Sequence, residues 1–134
     1  MSTAPPPSTT PDPLLAARAL VVHDLTARGR GTAALVDVVD AAVAARRWWL
    51  EAWPEGATHV AGQVAQDVQE ALLDEHGLRW PACPRPAGCT APDPHVLALL
   101  PDLGPDPHWV CESAAVDVAP LGALPPVAPD GHPG

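Results

Sequence analysis

Apolar residues recur every three or four positions through most of the first half of the chain, the spacing of an amphipathic helix. The first repeat follows Asp12-Pro13, an N-cap residue before a proline at the first helical position, and it stops at Arg28-Gly29-Arg30-Gly31. A second repeat starts after Thr32, a possible cap, and is broken by Pro54-Glu55-Gly56. The pattern predicts two helices joined by a short turn.

A third repeat has the clearest helical periodicity in the chain. Its apolar residues lie four apart, and Gly77 supplies a stop signal after them. The residues of this stripe are Val60, Val64, Val68 and Leu72. We therefore predict a third helix over residues 57–76, which completes a helical region over residues 12–77.

Prolines recur every few residues between Gly77 and Pro94, so no helix is expected there. Three short apolar runs follow, and they predict strands at 95–100, 108–111 and 116–119. We therefore expect an α+β fold, in which about three N-terminal helices precede a small two- to three-stranded antiparallel zinc-ribbon-like sheet. The β region covers 78–124, and the proline-rich ends at 1–11 and 125–134 are predicted to be disordered tails.

All three cysteines lie in the predicted β region, with His95 and His108 between or beside them. Zinc takes four ligands in a tetrahedron, commonly Cys thiolates and His nitrogens, and ligand pairs are often two to four residues apart. His108 and Cys111 have this spacing, whereas Cys83 and Cys89 are further apart across a proline-rich bend. The predicted ligands are Cys83, Cys89, His108 and Cys111, with His95 as the substitute for His108.

Two other states of these residues stay open: free thiols in a proline-rich loop, and a disulfide or redox pair. A zinc ion with four protein ligands has a closed, structural site, whereas one with three leaves a position for hydrolytic chemistry. Glu112 directly follows Cys111, so in a strand its side chain points to the opposite face. This placement weakens the catalytic interpretation, and we predict no catalytic residue.

Several segments of the second half resemble a known group of sequences. These are Trp80-Pro81-Ala82-Cys83-Pro84, the run from His95, and Trp109-Val110-Cys111 with the apolar residues that follow to position 124. Over residues 57–124 the chain resembles small uncharacterised actinobacterial proteins with a helical N-terminal part and a Trp-Pro-x-Cys-Pro…Trp-Val-Cys ending. The resemblance implies a zinc-ribbon-like C-terminal part and no established activity. Ligand histidines in such sequences follow the first Cys-Pro, in the stretch that Cys89 and His95 occupy here.

Charge and composition narrow the range of partners. The 134 residues carry a net charge of −9, with seven Arg and Lys residues in total, so we expect neither nucleic-acid nor membrane binding. No apolar run reaches the ~20 residues that span a bilayer, and the N-terminus lacks the pattern of a signal peptide. We expect a cytoplasmic protein whose thiols are reduced or metal-bound.

Arginines and tryptophans alternate near the end of the second predicted helix. Such a pattern could stack on nucleobases, but the acidic composition favours a solvated helix face or a surface for a protein partner. The residues assigned to this surface are Arg46, Arg47, Trp48 and Trp53. His23-Asp24 resembles the adjacent pair of metal phosphohydrolases, but the further His and Asp residues of such sites are missing.

These observations favour a small zinc-binding protein that acts as a non-enzymatic interaction or adaptor module for a protein partner not identified by the sequence. The alternatives are a metal-dependent hydrolase with an open zinc site and a thiol redox sensor.

Overall fold

The structure of the protein, a computed structural model, describes residues 12–101 and 103–126. Three α-helices come first: α1 (Pro13–Ala27), α2 (Ala33–Ala52) and α3 (Val60–His76). A 3-10 turn at Pro54–Thr58 joins α2 to α3. The tails predicted at 1–11 and over most of 125–134 lie outside the described residues. Among those described, no helix is both long and apolar enough to cross a bilayer.

The helix boundaries follow the signals in the sequence. The Asp12 carboxylate accepts a hydrogen bond from the Leu14 amide at 2.9 Å and so caps α1. The Thr32 hydroxyl caps α2 through the Leu35 amide at 3.4 Å. Gly77 ends α3 in the left-handed conformation, with φ of 61°, which costs glycine little.

The start of α3 differs from the predicted position 57, because the residues before it form the separate 3-10 turn. Within that turn, Gly56 lies against two tryptophan rings, and a Cβ there would be 2.6 Å from a carbon of Trp53. Glycine, which has no Cβ, fits this close approach to the rings. The 3-10 turn ends at Thr58, and α3 begins at Val60.

The sheet contains β1 (Ala98–Leu100), β2 (His108–Cys111) and β3 (Val116–Pro120), in the order β1-β2-β3. Both pairings are antiparallel. Trp109 lies opposite Leu99 on one side and Ala119 on the other, and the register shifts between Trp109 and Val110. The predicted α+β arrangement of three helices followed by an antiparallel sheet is confirmed.

The helices and the sheet share one hydrophobic core. Val21, Val39 and Val64, one from each helix, are buried together with residues of the β region. Trp80 and Trp109 are the largest side chains that the β region contributes to this core, and their rings pack edge to face with centroids 5.4 Å apart.

A buried carboxylate connects α1 to the β region. Asp24 is completely inaccessible to solvent, and its Oδ2 accepts hydrogen bonds from the Trp109 indole at 2.8 Å and the Gly122 amide at 2.7 Å. Its Oδ1 accepts the Leu124 amide at 3.0 Å and lies 2.8 Å from His23 Nδ1. A buried carboxylate is tolerated only when its oxygens are paired in this way. Asp24 therefore fixes β2 and the segment after β3 against α1.

Candidate metal centre

Three cysteines and one histidine converge beside the sheet. The ligand atoms of Cys83, Cys89, His95 and Cys111 all lie within 4.8 Å of one another. His95 Nε2 is 3.8 Å from Cys111 Sγ and 4.0 Å from Cys89 Sγ. Neighbouring ligand atoms of a tetrahedral zinc ion are about 3.5–3.8 Å apart, given zinc–ligand bonds of 2.0–2.3 Å. The group thus has nearly the spacing that zinc requires.

Backbone pairing between two parts of one loop brings Cys83 and His95 together, and Cys89 lies in the loop between them. Cys83 donates its amide hydrogen to the His95 carbonyl at 2.8 Å, and Leu97 donates to the Pro81 carbonyl at 2.9 Å. These two bonds surround an isolated antiparallel bridge between Ala82 and Val96. Cys111 arrives from the end of β2. Three ligands therefore come from the loop before β1 and one from the sheet.

Side chains from the helices hold this loop in place. Gln69 of α3 donates its amide hydrogens to the carbonyls of Trp80 at 3.3 Å and Leu97 at 3.0 Å. Arg28, at the end of α1, donates to the Ala82 carbonyl at 3.0 Å. The loop is thus anchored on both sides of Cys83 by groups from the helical region.

The loop also carries its own arginine clamp. Arg85 has a positive φ of 61°, and its guanidinium donates hydrogen bonds to the carbonyls of Ala91 and Asp93. Thr90 is tied to the turn after β2, because its amide donates to the Ser113 hydroxyl at 3.0 Å. These contacts close the loop around Cys89.

The thiols differ in their electrostatic environment. Burial raises the pKa of Cys83 to about 11, against the opposing effect of the Arg85 amide, which donates to its sulfur at 3.2 Å. The pKa of Cys89 is lowered, chiefly by a hydrogen bond from the Ala91 amide. Both sulfurs thus accept from the amide two residues ahead, an interaction that favours the thiolate needed for metal binding.

The donor set and the local charges both fit zinc. Thiolate sulfur and imidazole nitrogen are ligands that zinc accepts in closed structural sites. Three thiolates and a neutral imidazole around Zn²⁺ carry a net charge of −1. Two arginines lie near enough to interact with the thiols, Arg28 with Cys83 and Arg85 with Cys89, and they offset this charge.

The His95 ring has one nitrogen available for a metal and one without a described partner. Its Nε2 faces the sulfurs, whereas its Nδ1 is buried and has no hydrogen bond within the part of the chain that the structure describes. Coordination through Nε2 places the ring proton on Nδ1. The ring then approaches the sulfurs as a neutral ligand, as metal binding requires.

His108 lies away from this group, although its sequence spacing from Cys111 suggested a ligand pair. Its Nδ1 is within 2.8 Å of an Asp117 carboxylate oxygen on β3. The physical reason is the strand itself: residues three apart in a strand point to opposite faces, and burial alternates along β2. The structure places His95, the predicted substitute, beside the cysteines.

The predicted interaction residues on α2 have different environments. Arg46 forms an ion pair with Asp67 of α3, at 2.7 Å, and lies over the Trp49 ring. Arg47 is 3.9 Å from the Asp12 carboxylate. Trp53 packs edge to face on Trp49 with centroids 5.2 Å apart. Trp48 is the most exposed large hydrophobic side chain of the described residues, at 66%.

Sequence reasoning missed the residues that support the centre. Gln69, Arg28 and Arg85 act through backbone carbonyls, and no motif announces such contacts. In the sequence, Asp24 stands out only as the neighbour of His23, and its role in the fold depends on a contact with Trp109. One local signal points to this role: Asp24 is the single acidic residue of the largely apolar α1, where a buried charge needs partners.

Comparison with known proteins gives a family and no activity. A family described as Domain of unknown function (DUF8819) matches residues 10–121. Comparisons with the curated proteins and with the solved structures found no match. The family match covers the three helices, the four clustered ligands and all three strands.

Proposed function

The chain belongs to the family described as Domain of unknown function (DUF8819), and we propose that it is a zinc-stabilised protein-interaction module without enzymatic activity. The observation that carries the proposal is the convergence of Cys83, Cys89, His95 and Cys111. Zinc binding adds free energy of folding to a short, proline-rich region that has only three short strands. The reducing cytoplasm suits a centre of three thiolates.

The number of ligands argues for a structural ion. Four protein ligands fill a zinc tetrahedron and leave no position for a reactive water. Glu112, which directly follows Cys111, is exposed and borders a cleft with Gln66 and Leu100. A hydrolytic role would need an open position on the metal and a base directed at it, and these contacts supply neither.

Metal analysis of the purified full chain tests the zinc centre. We expect about one zinc per chain, and cobalt substitution should give the absorption of a tetrahedral thiolate site. His95→Asn should lower zinc retention strongly. His108→Asn is the matched control, because it alters the other histidine beside the sheet and should leave zinc bound. Less than about 0.2 equivalents of zinc in protein purified without chelator would overturn the proposal.

The same variants separate a structural site from an open one. If all four ligands are required for retention, the site is closed, as we propose. If one of the four can be replaced without loss of zinc, the hydrolase interpretation gains support instead.

The thiol-sensor alternative draws on one observation: Cys89 is partly exposed, whereas Cys83 and Cys111 are buried. In that reading hydrogen peroxide takes two electrons from two neighbouring thiols, which yields a disulfide and two water molecules. The alternative predicts zinc release and a disulfide under mild peroxide. Uniformly slow alkylation of the metal-free thiols would exclude it.

A further inference from the structure

A groove between α2 and α3 lies apart from the cysteine–histidine cluster, and no residue of the described ranges fills it. It encloses about 520 Å³ and contains none of the four clustered ligands. Small side chains form its floor, and a tryptophan lines it near the C-terminal end of α2. The lining residues include Ala41, Ala42, Ala45, Trp48, Ala71 and Glu75.

The shape of the α2/α3 groove suits a helix. The lining of α2 extends over twelve residues, from Val38 to Trp49, which is about 16 Å at a rise of 1.5 Å per residue. Three alanines along this length leave no large side chain on the floor of the groove, so the backbone of another helix can approach closely. Trp48, 66% exposed, offers the large apolar contact that anchors many interfaces.

The charged residues of α2 and α3 indicate which kind of helix the groove can bind. Glu75 lines the groove, and Asp37, Glu51 and Asp74 are exposed elsewhere on the same two helices. None of these four forms an ion pair with another described residue. The arginine in the lining, Arg46, is already paired with Asp67. The groove is thus apolar along its floor, carries one carboxylate without an ion pair among the described residues, and lies on helices with further exposed carboxylates.

From this geometry we infer that the α2/α3 groove docks an amphipathic helix of a partner protein, with an apolar face flanked by basic residues that match Glu75 and the acidic surface of the two helices. The inference rests on the proposed role as an interaction module and names its surface. A second copy of the chain is disfavoured, because it carries a net charge of −9 and the same exposed carboxylates.

A designed peptide provides the probe. An 18-residue helical peptide carries leucine and alanine on one face and arginine at both edges. Two control peptides have the same length: one has glutamate at the edges, and one has the basic composition in scrambled order. Binding to the zinc-loaded full chain is followed by calorimetry and by Trp fluorescence. We expect binding of the basic amphipathic peptide only.

Two alanine substitutions separate docking from general attraction to an acidic protein. Ala45→Gln places a longer neutral side chain on the groove floor, whereas Ala44→Gln makes the same change at an exposed position outside the lining. We expect Ala45→Gln to weaken binding about tenfold or more and Ala44→Gln to change it less than about twofold. Replacing Asp74 and Glu75 with Asn and Gln should weaken binding several-fold, mostly at low salt.

Several results would overturn the inference. These are no binding of the basic peptide, equal binding of a control peptide, or equal effects of the two alanine substitutions. Self-association abolished by Ala45→Gln would assign the groove to a second copy. Binding seen only after removal of residues 1–11 would assign it to that segment. Zinc is measured in the same samples. If zinc is bound but the peptide does not bind, only the inference about the groove is contradicted. If the peptide binds to a chain that holds no zinc, only the proposed zinc centre is contradicted.

Discussion

The helical region and the β region stabilise themselves by different means. In the helices, apolar stripes at regular spacing meet in one core, and residues such as Val21, Val39 and Val64 are fully buried or nearly so. The loop between α3 and β1 has many prolines and places only a few side chains in the core, chiefly Trp80 and Leu97. Its backbone is held by hydrogen bonds from Gln69 and Arg28, and it carries three of the four clustered thiol and imidazole groups.

The difference shows how a chain with weak periodicity can still have a defined structure. Burial of apolar area is non-directional, so a helical core tolerates many small changes. Metal ligation and buried hydrogen bonds are directional, and one missing partner leaves the others unsatisfied. We therefore expect the β region to respond sharply to single changes and the helices to respond gradually.

Removal of the metal should give the largest effect. Structural zinc contributes about 10–16 kcal/mol of apparent binding free energy in zinc-finger peptides at neutral pH. Chelation under reducing conditions, or Cys111→Ser, should abolish amide protection around 80–111 while the helical circular dichroism largely remains. Full protection of this segment after verified metal loss would contradict the comparison, since the loop would then be held by its hydrogen bonds alone.

Asp24 tests the connection between the two regions. Asp24→Ala leaves the Trp109 indole and two amides without an acceptor. Breaking such a buried network costs about 3–5 kcal/mol. Denaturant unfolding should show this loss, and the helical and β signals should no longer change together. A loss below about 1 kcal/mol would mean that water replaces the carboxylate.

Leu72→Ala sharpens the comparison from the helical side. The side chain is completely buried on α3, and truncation of a buried leucine costs about 2–5 kcal/mol. We expect lower stability with zinc still at about one equivalent. Leu73→Ala serves as the control, because Leu73 is its neighbour on α3 and is 48% exposed. Loss of zinc in Leu72→Ala at temperatures where the helices remain folded would show that the two regions are not separable in this way.

The surface ion pair between α1 and α2 should have the smallest effect. Arg18 lies 2.6 Å from Asp40, and this hydrogen bond lowers the pKa of the Asp40 carboxyl. A carboxyl with a lower pKa in the folded state stabilises the fold above its unfolded pKa, and this contribution disappears as the pH falls through the folded value. Asp40→Asn should therefore lower the melting temperature slightly at pH 7 and not below about pH 3. An equal difference at both pH values would point to a cause other than this charge.

The helices and strands could be predicted from local signals because local signals produce them. Asp12 and Thr32 cap the helices that their sequence positions suggested, and Gly77 ends the third. β2 has the predicted bounds His108–Cys111. The start of α3 could not be placed, because the preceding turn depends on ring contacts around Gly56.

The cysteine–histidine cluster shows what local spacing does not determine. His108 and Cys111 have the spacing of a ligand pair, but that spacing works only where the chain turns. The same residues form a strand, whose two-residue period directs them to opposite faces. His95 is 16 positions from Cys111, and the two meet because β1 pairs antiparallel with β2, with Ala98 opposite Val110, which brings the end of β2 beside the segment before β1.

The sequence by itself determined the three helices, the approximate positions of the strands and the segment in which the three cysteines lie. Periodicity and capping act within a few residues, so they can be read along the chain. Only the tertiary structure decided which histidine joins the cysteines, what Asp24 connects, and which face of α2 and α3 stays open as a groove. Each of these depends on residues far apart in sequence, whose meeting is set by how the whole chain packs.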